Sequence, residues 1–196
     1  MIFELKLART FTLWSRLESP IAKLLFTRLK EINEMSEQFH TLVVRVENKP
    51  GVLARVSGLF ARRGFNIQSL AVAPTDNELF SRLTIVVDAE SAPLDQVVKQ
   101  LDKLINVVRI QELSPSHSVS RELILATVNL AEGNEDNIMR EVESFDANVL
   151  SVGEKKIMVS LSGPPEVIDE FEAVLEKYGI LEVQRTGIVA LATIAD

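Results

Sequence analysis

The chain has 196 residues, 46% of them hydrophobic, and a formal net charge of −7. That length and apolar content suffice for one large or two small buried cores, while an acidic balance with no concentrated basic face argues against nucleic acid as a partner. The lack of cysteine removes disulfides, thiolate metal sites and a cysteine nucleophile, and it agrees with a reducing compartment, so the cytoplasm is the expected location.

No run approaches the roughly 18 consecutive apolar residues of a spanning helix. Residues 1–38 carry Lys6, Arg9, Arg16, Lys23, Arg28 and Lys30, with only Glu4 and Glu18 opposing them before Glu31. They lack the apolar segment and small-residue cleavage site of a targeting peptide. Leu13, Leu17, Ile21, Leu24, Leu25 and Leu29 recur at helical spacing around Pro20, so this N-terminal extension reads as an accessory helix. A translation start at Met35 is the other reading.

From Thr41 to Val46 the apolar residues alternate at Leu42, Val44 and Val46, the pattern of a strand with one buried face. The turn Asn48-Lys49-Pro50-Gly51 follows, and residues 52–63 switch to a helical period with Val52, Val56, Leu59 and Phe60 on one side. Gly64 ends that helix in the left-handed position. Strands are expected at 66–73 and 80–87 around a turn at Pro74-Thr75-Asp76-Asn77. A helix through Leu94, Val97, Val98, Leu101 and Leu104 and a strand at 107–113 complete a βαββαβ unit over residues 39–113.

Ser114-Pro115-Ser116-His117-Ser118 opens a polar linker assigned to 114–120, after which the same order returns over 121–196. Strands are expected at 122–129, on both sides of Gly153-Glu154-Lys155-Lys156, and at 180–184, with helices at 135–145 and 165–178. Residues 187–195 form one more apolar run with no counterpart in the repeat. The fold class is therefore α+β: two ferredoxin-like βαββαβ domains in tandem, each an antiparallel sheet with its helices on one face. The other face needs cover, and with Val43, Ile67 and Val86 near that phase, stacking or edge pairing between two copies points to a homodimer.

Catalytic candidates are few. His40 and His117 have no carboxylate or histidine beside them at metal-ligand spacing and read as solvated. The acidic groups at 132–136 and 166–172 fall at expected helix starts, where negative charge suits the dipole. Gly51 and Gly58 match neither a dinucleotide nor a phosphate loop, and Gly58 reads as a close approach of its helix to the sheet or to a partner helix. The Asn48–Leu53 turn is different, because a fixed-φ proline and a glycine at a strand-to-helix junction leave several backbone N–H groups facing one small space. Simple helix capping and the binding of a carboxylate both remain open for the turn alone.

The run Asn48-x-Pro50-Gly51-Val52-Leu53, the helix exit Arg63-Gly64-Phe65-Asn66-Ile67, the turn Ala73-Pro74-Thr75-Asp76 and the strand Ser81-Arg82-Leu83-Thr84-Ile85 together resemble the ACT domain of the acetolactate (acetohydroxyacid) synthase small subunit. The resemblance continues through Gln100-Leu101-Asp102-Lys103-Leu104, Arg121-Glu122-Leu123 and Arg185-Thr186-Gly187-Ile188-Val189-Ala190-Leu191, covering about residues 39–192. It departs at Thr193, where that family usually has arginine.

The resemblance implies a regulatory subunit with no catalysis and no cofactor of its own, in branched-chain amino acid biosynthesis. Such subunits bind a large catalytic subunit, which carries thiamine diphosphate, Mg and FAD, raise its activity, and make it sensitive to feedback inhibition by valine. The effector sits between two ACT domains, so Asn48, Pro50, Gly51, Val52 and Leu53 of one chain and Asn66 and Ile67 of another are the implied effector site. A free-standing amino-acid-sensing ACT regulator of another enzyme is the alternative.

Overall fold

A computed structural model describes residues 39–88, 93–130 and 133–194; the expectations for residues 1–38 and for Glu132 fall outside them. The first unit runs β1 (Phe39–Glu47), α1 (Val52–Arg62), β2 (Ile67–Pro74), β3 (Phe80–Asp88), α2 (Leu94–Leu101) and β4 (Val107–Leu113). The second runs β5 (Ser118–Asn129), α3 (Glu135–Ser144), β6 (Asn148–Val152), β7 (Lys156–Gly163), α4 (Pro165–Glu176) and β8 (Ile180–Arg185). All pairings are antiparallel. The strand orders, β2-β3-β1-β4 and β6-β7-β5-β8, are the same order shifted by four, so the internal repeat holds at the level of topology.

Period alone explains the two main cores. Leu42, Val44 and Val46 of β1 share one face with Leu83, Ile85 and Val87 of β3, and onto them α1 presents Val56, Leu59 and Phe60, three or four residues apart. The second core repeats this with Ile124, Ala126 and Val128 of β5 under Ile138, Ile168 and Phe171 of α3 and α4. The exit of α1 is held by the paired bonds of a Schellman motif: Gly64 at φ +69° donates to Ala61 O at 3.2 Å and Phe65 donates to Phe60 O at 3.1 Å. The Phe60 and Phe65 rings meet edge-on at 6.3 Å and seal that end.

Five expectations are corrected. The helix expected to reach Leu104 stops at Leu101, because the Leu104 N–H turns back tightly to Leu101 O; Leu104 still packs on the core while the chain swings into β4. Residues 118–120, assigned to the linker, are the first of β5. Their partner is β9 (Val189–Ala192), the apolar run without a counterpart, whose residues pair Ser118↔Ala192 through Arg121↔Val189. A single 12-residue strand thus pairs at one end with β9, which together with residues 186–188 forms an arm, and belongs at the other end to the second sheet.

Ile67 turns out to pack on the helix-side core, since an irregularity in register between Ile67 and Ser69 moves it off the open-face phase. Val43 and Val86 do lie on the open face, yet both are buried within the single chain, and Val43 packs with Leu113 against Ala190 of β9. The arm covers part of the face that seemed to need a neighbour. Finally, Gly58 approaches no sheet: the nearest atom to an added Cβ is Arg62 Nη1 at 3.3 Å, the mobile end of its own helix's side chain.

A hydrogen bond adds to that packing in holding the arm to the first unit. The Ile188 N–H donates to Ser69 Oγ at 2.9 Å, and Gly187, at φ +76°, lies so close to β2 that a Cβ there would stand 2.8 Å from the same oxygen.

Candidate functional site

The turn between β1 and α1 is tied down on both sides. The Asn48 N–H donates to Leu79 O at 2.8 Å and its Nδ2 to Glu78 O at 2.9 Å, so this side chain locks onto the β2–β3 turn and does not cap α1. The N-cap is Gly51, at φ +81° and ψ −6°, with no side-chain cap. Of the two ways of capping, Asn48 is thus excluded and the Pro50-Gly51 turn is the one that starts the helix, by backbone geometry, with its first donors not consumed by a side chain.

Which donors remain differs from the set implied by the resemblance. Val52 N–H turns inward to Lys49 O at 3.3 Å, and Arg55 N–H bonds Gly51 O at 3.1 Å. Among the described residues, the amides of Gly51, Leu53 and Ala54 have no hydrogen-bond partner, and Asn48 Oδ1 is also unpaired. The N-terminal turn of α1 thereby offers free N–H groups at the positive end of a three-turn helix, with a carbonyl-type acceptor from Asn48 close by in sequence. Ala54 joins the set as the third residue of α1, whose N–H precedes the first intrahelical bond, made by Arg55.

A polar clamp behind the turn was also missed. Asn106, in the turn just before β4, donates from Nδ2 to Glu47 Oε2 and accepts from Arg55 Nη1 at 2.9 Å on Oδ1, bridging the last residue of β1 to the first turn of α1. Hydrogen bonds from Asn106 and then from Lys49 hold the Glu47 carboxyl below its ordinary range. A depressed native value means that this support is complete above the ordinary carboxylate range and disappears as pH falls through the lower native value; the clamp is intact at neutral pH. Replacing Asn106 by Ala should loosen the turn and weaken effector binding roughly two- to five-fold, measured by titration calorimetry at pH 7, with little change in thermal midpoint. An unchanged affinity would show that the turn holds itself.

Asn66 and Ile67 are not near this turn in the same chain. Ile67 pairs with Val87, which faces His40 at the start of β1, whereas Asn48 follows Glu47, which faces Phe80. The two halves of the implied site stand at opposite ends of the sheet, about seven strand residues or roughly 23 Å apart. Asn66 is exposed and Ile67 half-buried against the core.

Elsewhere, His40 Nδ1 lies 3.7 Å from Glu112 Oε1 and His117 Nδ1 shares a hydrogen bond with Ser116 Oγ at 2.8 Å. No group of residues able to hold a metal ion occurs among the described residues. The acidic stretch at 166–172 is not merely a solvated face, since Asp169 and Glu172 reach Arg185 at 2.7 and 2.9 Å. Arg185 also grips Glu122 through two parallel bonds, at 2.7 and 3.0 Å, and Glu122 is only 4% exposed. This contact above all raises the affinity of Arg185 for its proton. The expectation of no basic concentration is overturned as well: Arg45 of β1 stands directly opposite Arg82 of β3 and Arg109 of β4, all on the open face.

Comparison with known proteins agrees with this architecture. Residues 42–109 match the family model described as the AHAS small subunit-like ACT domain, and residues 121–194 match the one described as the small subunit of acetolactate synthase. An acetolactate synthase small subunit of Mycobacterium bovis is 49% identical over 158 residues, 81% of this chain and 94% of the relative. A probable acetolactate synthase small subunit of Archaeoglobus fulgidus is 43% identical over 152 residues, 78% of this chain and 95% of the relative. The crystal structure of the acetolactate synthase small subunit from Thermotoga maritima superposes with a TM-score of 0.74 at 33% identity, covering 81% of this chain and 99% of that one. With two consecutive family matches, this identity and this coverage, the chain belongs to the acetolactate synthase small subunit family, whose members are companions of a large catalytic subunit.

Proposed function

We propose that this chain is the non-catalytic regulatory subunit of acetolactate synthase in branched-chain amino acid biosynthesis: it activates the thiamine diphosphate-dependent large subunit and confers feedback inhibition by valine. It holds no cofactor itself and works in the cytoplasm; among the described residues no helix is long and apolar enough to cross a membrane. The observation that carries the reading is the Gly51-started turn, with free backbone N–H groups for a carboxylate and the unpaired Asn48 Oδ1 for an ammonium. An α-amino acid presents that pair of charges.

A second copy supplies the other half. Strand β2 is an edge of its sheet. Antiparallel pairing of two such edges about a two-fold axis lays Asn66 and Ile67 of one copy beside the Pro74 end of the other, the end to which Asn48 is tied through Glu78 and Leu79. The composite site then consists of Asn48, Pro50, Gly51, Val52, Leu53 and the added Ala54 from one chain, with Asn66 and Ile67 from the other. Burying a valine side chain contributes about 1.5–3 kcal/mol, enough together with the fixed dipoles for a sensor in the high-micromolar to millimolar range. Filling a shared site changes how two chains pack, and a coupling of about 1–3 kcal/mol suffices to switch the catalytic subunit.

Titration calorimetry of the full chain with valine, leucine and isoleucine, beside assays of the catalytic subunit with and without it, tests this. Saturable binding of a branched-chain amino acid, activation of the catalytic subunit and its inhibition by the same ligand are expected. Binding without any effect on the catalytic subunit would indicate the free-standing regulator, and neither binding nor effect would refute the assignment.

A further inference from the structure

The open face of the first sheet carries a row of three like charges. Arg45 faces Arg82 on one side and Arg109 on the other, and Arg121 near the start of β5 joins them around a concavity of about 1040 Å³ between that face and the arm. Asp76 is the single acidic residue in its lining. Among the described residues, none of the four guanidiniums is in an ion pair.

Like charges directly opposite one another across strands oppose sheet formation, and two of these groups are also unsatisfied: Nε of Arg45 and of Arg82 is buried with no hydrogen-bond partner. The Arg45 guanidinium lies 4.3 Å from the centre of the Phe80 ring, which fixes where its donors stand. Beside them Val119, Val189 and Leu191 wall the cleft and are about half exposed. Oriented, desolvated and unpaired donors next to an uncovered apolar wall are what an anion with an apolar part would complete.

Reach and shape decide among the occupants. In the chain before β1 the nearest carboxylates are Glu37, Glu34 and Glu31. Arg45 lies six residues along β1 from Phe39, roughly 20 Å away, and Ala190 of β9 packs on Val43 between them. An extended chain covers at most about 3.6 Å per residue, so the backbone at Glu37 and Glu34, two and five residues before Phe39, stops short of Arg45 and only Glu31 can draw level with it. The chain before Glu31 brings six Lys and Arg against Glu4 and Glu18. One copy's own residues therefore cannot lay a matching set of carboxylates on the row, and a second copy presenting the same face would bring arginine against arginine. The volume is that of a large small-molecule site. A planar carboxylate meets one guanidinium edge to edge, whereas a tetrahedral phosphate turns its acceptor oxygens in several directions and serves guanidiniums on neighbouring strands, which lie roughly 5 Å apart. We propose that this cleft binds a small organic anion carrying two or more linked phosphate groups, with the phosphates on Arg45, Arg82 and Arg109 and the apolar part against Val119, Val189 and Leu191. The cleft shares no residue with the proposed effector site.

Titration calorimetry of the full chain with tripolyphosphate, and with citrate as a polycarboxylate, tests this across a KCl series. It compares the parent with Arg82→Gln, which leaves Arg45 on Phe80, with Arg45→Gln/Arg82→Gln/Arg109→Gln, and with Glu31→Gln/Glu34→Gln/Glu37→Gln. Expected are saturable, salt-weakened binding of tripolyphosphate by the parent, a several-fold loss in Arg82→Gln, a loss of ten-fold or more in the triple arginine variant, citrate at least ten-fold weaker, and parental affinity in the glutamate variant. No saturable binding by the parent, or the same affinity in the parent and in both arginine variants, would overturn the site; should the triple variant not fold, Arg82→Gln alone decides. Citrate binding as tightly as tripolyphosphate would overturn the assignment to phosphate. Tripolyphosphate binding that emerges, or tightens ten-fold, only in the glutamate variant would overturn it in favour of residues 31–37 as the occupant.

Discussion

Replacing Gly51 by Asp is expected to abolish valine inhibition while leaving activation of the catalytic subunit in place. The glycine sits at φ +81°, and a Cβ added there meets nothing within 4 Å, so the variant has room. Its cost is the left-handed backbone, which aspartate accepts more readily than most residues, at about 1 kcal/mol. The new carboxylate would stand among the free donors at the start of α1, where the proposed site would hold the effector's own carboxylate. Two negative charges about 4 Å apart repel by about 1 kcal/mol in bulk water and about 4 kcal/mol at an effective dielectric of 20. This is a loss of roughly five- to a thousand-fold in affinity, and the added charge also competes for the donors. The comparison with Gly51→Ala separates backbone from charge, since alanine shares the strain without the carboxylate and should lose only a few-fold. Inhibition curves on the reconstituted complex that coincide for Gly51→Asp and the parent would place the effector elsewhere.

The second large effect belongs to Arg185. Substituting Met leaves Glu122, 4% exposed, without its bidentate partner, and leaves Asp169 and Glu172 facing it across the vacated guanidinium. Removing one partner of a buried pair costs about 3–5 kcal/mol. Because Arg185 itself is 31% exposed and partly screened, we expect about 3 kcal/mol. For a chain of this length that lowers the thermal midpoint by about 6–12 °C. Calorimetric melts of the parent, Arg185→Met and the double variant with Glu122→Gln provide the check: the double variant should recover much of the loss, because the stranded charge is gone. A single variant that melts with the parent would show the cluster to be ornamental. Arg185 also precedes the Thr186–Ile188 segment that leads into β9, so its loss should be felt at the arm as well as in the second sheet.

Much of the fold was legible because it is written in local period. Alternation at Leu42, Val44 and Val46, helical spacing at Val52, Val56, Leu59 and Phe60, and glycine at the α1 exit each reflect a physical requirement confined to a few neighbouring residues. Pairing between distant segments was not. Nothing near Ser118 or Val189 says that these strands meet, and Arg45, Arg82 and Arg109 read singly as polar positions on half-buried strands until the registers align them. The site lies between these cases. Asn48, Gly51 and Asn66 were visible as residue types, but the orientation of Val52 N–H and the bridge through Asn106 depend on one left-handed residue and one contact between remote loops. The slip at Ile67 has the same origin, for one irregular step in an edge strand turns a side chain to the other face.

The contact of Ile188 with Ser69 joins residues 119 apart in the chain, and its consequence is one of timing. Each βαββαβ unit can collapse on its own neighbours, whereas the arm pays its loop-closure entropy only against surfaces already formed, β1 and β2 on one side and the start of β5 on the other. During synthesis the first sheet must therefore pass through a period with Val43 uncovered and its row of arginines open on every side. The mutual repulsion of those charges opposes face-to-face stacking of two such sheets for as long as the arm has not covered them.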